Sequence, residues 1–225
     1  MLEALKLKVL DANLALKKNG LAKHGYGEAS AIDRESGLVV IKPEGVPFEE
    51  MNFKDMMVVD LMGNVVDGVL HPSASTPTHI ELYRAFEEIG SIAHVYSTYA
   101  TAFAQAGRDL PFYGGLHAER FYGDVPCVDA ISDEEIENDY ELNVAYSVIN
   151  VIEGVNPLEN PAVLVKSDGA FTFGEGAEDA VTVACELEEI AKTALMTELL
   201  NPEVERASDQ LLDKRFFRRH GKKFK

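Results

Sequence analysis

The thirty residues from His71 to Ala100, HPSASTPTHIELYRAFEEIGSIAHVYSTYA, constrain the fold more than any other stretch. They read in order as loop, helix, turn and strand. Ser73, Ala74 and Ser75 form a small-residue loop, and Thr76 is placed to cap a helix with Pro77 at its first position, where proline's missing donor costs nothing. Leu82, Tyr83, Phe86 and Ile89 then supply an apolar face at helical spacing, and Gly90 closes the helix. Ser91 to Ser97 is β-prone, and alternate residues of a strand share a face, so His94 and Tyr96 point the same way. A loop of small hydroxyl residues followed by a strand presenting His94 is the edge of a site.

The flanking segments extend the same alternation. Residues 2–17 predict an amphipathic helix stopped at Gly20. Gly25 and Gly27 flank Tyr26 in a tight loop that leads into a strand over EASAID. GLVVIK is a strand broken at Pro43, with Gly45 free to take a positive φ. DMMVVDLMGNVVDGVL predicts a hairpin turning at Gly63-Asn64. Thr98 to Ala106 is a helix ended by Gly107, and PFYGGLHAERFYGDVPCVD reads as strands and loops. Ser132 and Glu135 make a capping box that starts a helix to about Ile152. AVLVK and AFTFG are strands joined by a turn at Ser167-Asp168-Gly169, and helices follow over Glu178–Leu200 and Gln210–His220. Helices alternating with strands and hairpins predict a single α/β domain with a partly antiparallel sheet.

Charge narrows the class of partner. The net charge is −17, although the last twelve residues, KRFFRRHGKKFK, carry seven Lys or Arg and no acid. The body is therefore more acidic than the total, and it repels nucleic acid and phosphate at long range. The basic end is read as a helix terminus that meets an acidic surface. No apolar run approaches a membrane span, and the N-terminus lacks the apolar core of a signal peptide. A cytoplasmic protein is the expectation, with Cys127 and Cys185 as buried thiols.

Several runs, in this order, resemble L-ribulose-5-phosphate 4-epimerases of the class II aldolase family. They are ANLALKKNGL, SAIDRESGLVVIKPEGV, PSASTPTHIELYRAF, IAHVYS, AQAGRDLPFYGGLHAERFYGDVPC, PAVLVKSDGAFTFG, EDAVTVACELEEIAK and LLDKRFFRRHGKKF. The resemblance spans nearly all of residues 1–225 and implies one class II aldolase-like α/β domain. Its central, mainly antiparallel sheet is flanked by helices, and residues 208–225 form a C-terminal helix and basic tail. It also implies a homotetramer with sites between subunits, and a divalent metal, usually zinc, that polarises the carbonyl of a pentose phosphate for retro-aldol epimerisation.

At the positions that matter the chain departs from that pattern. The resemblance places metal ligands at His94, at Tyr96 in place of a second histidine and at Asp168 in place of a third, and it expects a carboxylate where Ser75 stands. It places substrate-binding groups at Glu28 (for an amide), Lys42, Glu44 (for a serine), Gly45, Ser73 and Ala74 (for a serine). It makes Glu119, contributed by a neighbouring subunit, the catalytic acid/base. His24, His71 and His79 are read as surface or helix-packing residues, and His117 as positional.

These changes have a physical cost for the inherited chemistry. Zinc sites want several N, S or carboxylate ligands, so zinc held in the family manner is not expected. Oxygen ligands suit a harder ion such as Mn²⁺, Mg²⁺ or Ca²⁺. Each carboxylate about 4 Å from a phosphate costs on the order of 4 kcal/mol at an effective dielectric near 20. Three functions follow as expectations. One is an epimerase- or aldolase-type enzyme with an altered site; another is a non-catalytic tetrameric scaffold. The third is a protein whose acidic cleft (Glu28, Glu44, Glu119, Asp168) holds a hard cation or cationic ligand.

Overall fold

The structure is a computed structural model that describes residues 1–221, so the end of the basic tail lies outside the described residues. An opening helix, α1 (Glu3–Lys18), leads into the strands β1 (Glu28–Asp33) and β2 (Leu38–Ile41) and the hairpin β3 (Met57–Asp60) and β4 (Val65–Asp67). Next come α2 (Thr76–Ala85), β5 (Ser91–Val95), α3 (Thr98–Gln105), α4 (Gly115–Arg120), β6 (Cys127–Val128) and α5 (Asp133–Ile152). The chain closes with β7 (Ala162–Val165), β8 (Ala170–Gly174), α6 (Asp179–Leu200) and α7 (Asp209–His220).

The strands form one eight-stranded sheet in the order β4-β3-β2-β1-β5-β8-β7-β6. Every pairing is antiparallel except β6 with β7. Strand parity divides the core into two layers. Ala29, Ala31, Ala93 and Val95 face a layer with Val9 and Leu16 of α1 and Ala184 and Leu187 of α6. Ile32, Ile92, Phe171 and Phe173 face the other, with Leu82 and Tyr83 of α2 and Val144 and Val148 of α5. Burying both sheet faces under helices produces the α/β architecture the sequence predicts. Among the described residues no helix is long and apolar enough to cross a membrane.

Three local expectations are corrected. Thr76 is the first residue of α2 and not its cap: its hydroxyl donates to the Ser73 carbonyl (2.5 Å), and Ser75 stands at the cap position without a side-chain hydrogen bond. The helix ends at Ala85, before Ile89 and Gly90. Gly90 instead marks a close backbone approach, because a Cβ there would lie 1.8 Å from the Glu175 carbonyl oxygen. Within the segment read as strands and loops, α4 is a six-residue helix that its glycines conceal. The capping box at Ser132 and Glu135 forms as predicted.

Candidate functional site

A cavity of about 690 Å³ opens at one end of the sheet. Its walls come from the start of β1, the loops after β2 and before α2, the end of β5, the β7–β8 turn and α5. Sheet register assembles its floor. Glu28 of β1 lies directly opposite His94 of β5, and His94 lies opposite Phe171 of β8. Cross-strand partners on one face bring their side chains together. The His94 ring therefore stacks on Phe171, with centroids 4.2 Å apart and planes 3° from parallel.

Both ring nitrogens of His94 meet carboxylates. Nδ1 lies 3.1 Å from Glu28 Oε1, and Nε2 lies 3.3 Å from Asp168 Oδ2. The tight β7–β8 turn delivers Asp168, and Ser167 takes a left-handed φ of 64° to close it. Tyr96 donates its hydroxyl to Asp168 Oδ1 at 3.0 Å. His94 is only 4% exposed and Glu28 5%. Burial alone would discharge all three groups, but their mutual attraction outweighs it. Burial pushes the imidazole down, yet the two carboxylates raise His94 to about 10. Burial pushes the Glu28 carboxyl up, yet His79 and His94 hold it well below the usual range. Asp168 is lowered in the same way, against its burial, by His94 and Tyr96. The phenol of Tyr96 is raised by burial and by Asp168, and burial with Asp168 pushes Tyr140 up to about 12.

A second cation completes the floor. Lys42 is 4% exposed. Its ammonium donates to the Gly25 carbonyl at 3.1 Å and lies 4.9 Å from the Phe48 ring centroid. Burial lowers its pKa while Glu28 and Glu44 resist. Gly27 must be glycine here: at φ +99° an added Cβ would sit 3.3 Å from the His94 carbonyl oxygen. The floor thus sets Glu28 and Asp168 against His94 and Lys42, two charges of each sign. The acids Glu44, Glu49 and Glu141 also line the cavity, and Lys17 lies 3.6 Å from Glu49.

Of the residues singled out from sequence, Glu28, Lys42, Glu44, Gly45, Ser73, Ala74, Ser75, His94, Tyr96 and Asp168 all line this one cavity. Glu119 does not line it. It sits on α4, where Arg215 (3.1 Å) and Arg218 of α7 engage its carboxylate and His220 Nε2 lies 2.9 Å from its carbonyl oxygen. Those arginines lower its pKa. The acidic surface that α7 meets is thus found within the chain. His79, read from sequence as packing, does pack α2 onto the sheet, but its Nε2 also lies 3.7 Å from Glu28 Oε1. The signal for that second role was available: His79 and Tyr83 are i, i+4 on the apolar face of a helix, where a polar pair needs partners.

The sequence profile described as "Class II Aldolase and Adducin N-terminal domain" matches residues 7–195. Among solved structures, the chain is similar to an L-fuculose 1-phosphate aldolase at 26% identity, covering 98% of this chain and 97% of that one, with TM-score 0.81. An L-fuculose 1-phosphate aldolase from Glaciozyma antarctica PI12 aligns at 20% identity, covering 96% and 81%, with TM-score 0.80. YgbL from Klebsiella pneumoniae aligns at 23% identity, covering 95% and 99%, with TM-score 0.76.

Class II aldolases are generally dependent on a divalent metal, and the donor set here does not fit one. Both ring nitrogens of His94 face carboxylates, at 3.1 and 3.3 Å, an arrangement that favours the protonated ring over a free lone pair for a metal. Tyr96 donates a proton to Asp168 and is displaced from the ionised form a metal needs. Among the described residues, no group of three or more His, Cys, Asp and Glu is arranged to hold an ion.

Proposed function

The chain belongs to the class II aldolase and adducin family, and from that frame we propose a protein that binds a small, neutral, hydroxyl-rich ligand in its cleft without the family's metal-dependent turnover. The observation that carries this reading is the clamping of His94 between Glu28 and Asp168. The buried imidazolium puts a fixed positive charge where the family resemblance implies a metal, and its two carboxylates are already compensated. With Lys42 included, the floor carries no net charge to attract an ionic ligand. Lys42 keeps ammonium protons beyond its single bond to Gly25, and Ser73 lines the same wall. Such donors beside carboxylate acceptors suit a polyol or an unphosphorylated sugar. Glu44 and Glu141 at the same cavity disfavour a phosphate dianion, which loses more to repulsion than a single lysine returns.

Calorimetric titration tests this with ribitol and L-ribulose against their phosphate esters, alongside turnover assays on L-ribulose 5-phosphate and L-fuculose 1-phosphate in added Zn²⁺ or Mn²⁺. The expected result is saturable binding of the neutral compounds, weaker binding of the esters and no turnover above a heat-killed control. Turnover, or tighter binding of the esters, would overturn the reading. The retention of Lys42, Gly45 and Ser73 on one wall favours a second reading, an aldolase- or epimerase-type enzyme with an altered mechanism. The same turnover assay decides it. A cation ligand at Glu44, Glu141 and Asp168 would show as binding of amines or Mn²⁺ in place of ribitol. The homotetramer belongs to this proposal too, and light scattering on the purified chain tests it.

A further inference from the structure

Beneath the cavity floor runs a line of polar groups that the cleft itself does not expose. His79, Ser30 and Tyr83 are each fully buried. Ser30 Oγ lies 2.7 Å from His79 Nδ1 and 2.8 Å from the Tyr83 hydroxyl. The far side of the His79 ring, Nε2, faces Glu28 Oε1 at 3.7 Å. These groups come from α2 and β1, and three polar side chains in an apolar layer are costly unless each is satisfied.

The proton positions along this line follow from one fixed point. The negative charge of Glu28, 3.7 Å from His79 Nε2, repels a bare lone pair and favours a proton on that nitrogen. Glu28 is already engaged more closely by His94, at 3.1 Å, which leaves the wholly buried His79 without a counter-charge of its own. His79 is therefore neutral and its Nδ1 accepts. Ser30 must then donate to Nδ1, and its oxygen must accept from the Tyr83 hydroxyl. One direction fits both hydrogen bonds, Tyr83 to Ser30 and Ser30 to His79, and it turns the His79 Nε2–H toward Glu28 Oε1, which it meets electrostatically at 3.7 Å and not as a hydrogen bond.

This ordering has a consequence for the cleft. Both imidazoles approach the same oxygen, Glu28 Oε1. No described residue bonds Oε2, and Glu28 lines the cavity. We infer that Glu28 Oε2 is the cleft's anchoring acceptor for a ligand hydroxyl, and that the chain Tyr83–Ser30–His79 is the positioning device that fixes the carboxylate in that orientation. The ligand half of this inference rests on the polyol reading above; the ordered chain does not.

Nitrogen-15 NMR of the imidazoles and calorimetry with ribitol separate the two halves. In the free wild-type protein, His79 is expected as the neutral Nε2–H tautomer at neutral pH. Ser30→Ala should move the Nδ1 resonance downfield as that nitrogen loses its donor. An Nδ1–H tautomer, an imidazolium at neutral pH, or an unmoved Nδ1 resonance in Ser30→Ala would overturn the ordered chain. Ser30→Ala and His79→Gln are each expected to weaken ribitol about tenfold, equivalent to 1.4 kcal/mol. Unchanged ribitol affinity in both variants, with the tautomer as expected, would overturn the positioning role. Absence of ribitol binding to the wild type would instead overturn the polyol reading and the anchoring role of Oε2, while the tautomer still decides the chain.

Discussion

Replacing Glu28 with Gln removes one charge from the floor and changes almost nothing else in shape. At 3.1 Å and an effective dielectric near 20, the Glu28–His94 attraction is about 5 kcal/mol before the cost of burying the charges is subtracted. Removing one member of a buried pair strands the other, which typically costs about 3–5 kcal/mol. The stranded group here is the His94 imidazolium, left with Asp168 alone. Glu28→Gln is therefore expected to cost about 3–5 kcal/mol by urea unfolding at neutral pH. For a chain of this length that lowers Tm by roughly 6–20 °C. Glu44→Gln is the control: Glu44 lines the same cavity but is exposed, and its replacement should stay within about 0.5 kcal/mol of wild type. A Glu28→Gln cost under about 1 kcal/mol, or one no larger than that of Glu44→Gln, would refute the buried imidazolium clamp.

Three further outcomes are expected. His117 is buried and donates Nε2–H to the Gly123 carbonyl, and burial pushes its pKa to about 4. Because the folded value lies below the unfolded one, its contribution is complete above about pH 6.5 and is lost as pH falls toward about 4, by up to about 3 kcal/mol. Urea unfolding across that window should show the loss, and His117→Gln should flatten it. Gly90→Ala, which pushes a Cβ to 1.8 Å from the Glu175 carbonyl oxygen, is expected to cost about 3 kcal/mol or more by the same assay. Ser132→Ala, which deletes the capping box of α5, should lower stability by about 1 kcal/mol, visible as a reduced urea midpoint at unchanged slope.

Much of the fold was legible because its signals are local. The strands over EASAID and GLVVI, the turn at Ser167-Asp168-Gly169 and the Ser132 capping box each depend on residues a few positions apart. Parity alone placed His94 and Tyr96 on one face, and their rings indeed lie with centroids 4.7 Å apart. The short α4 was not legible, since two glycines and six residues give no helical periodicity to read. Gly90 was assigned to a helix end because its true constraint, the backbone at Glu175, lies far along the chain. The site was half legible for the same reason. Family positions gathered its lining, but the joining of Glu28 to His79 and of Glu119 to Arg215 is set by packing between distant segments. The family resemblance placed Glu28 at a substrate-binding position and Asp168 at a metal-ligand position, both in an acidic cleft. Register sets Glu28, and the β7–β8 turn sets Asp168, against the two ring nitrogens of His94.

Zinc stoichiometry tests that pairing most directly. Elemental analysis after equilibrium dialysis would compare the wild type with a Glu28→Asn/Tyr96→His/Asp168→His variant, which frees His94 and returns histidines to the two flanking positions. The wild type is expected to retain only trace zinc, while the variant takes it up stoichiometrically. Stoichiometric zinc in the wild type would contradict the reading of His94 as a clamped imidazolium.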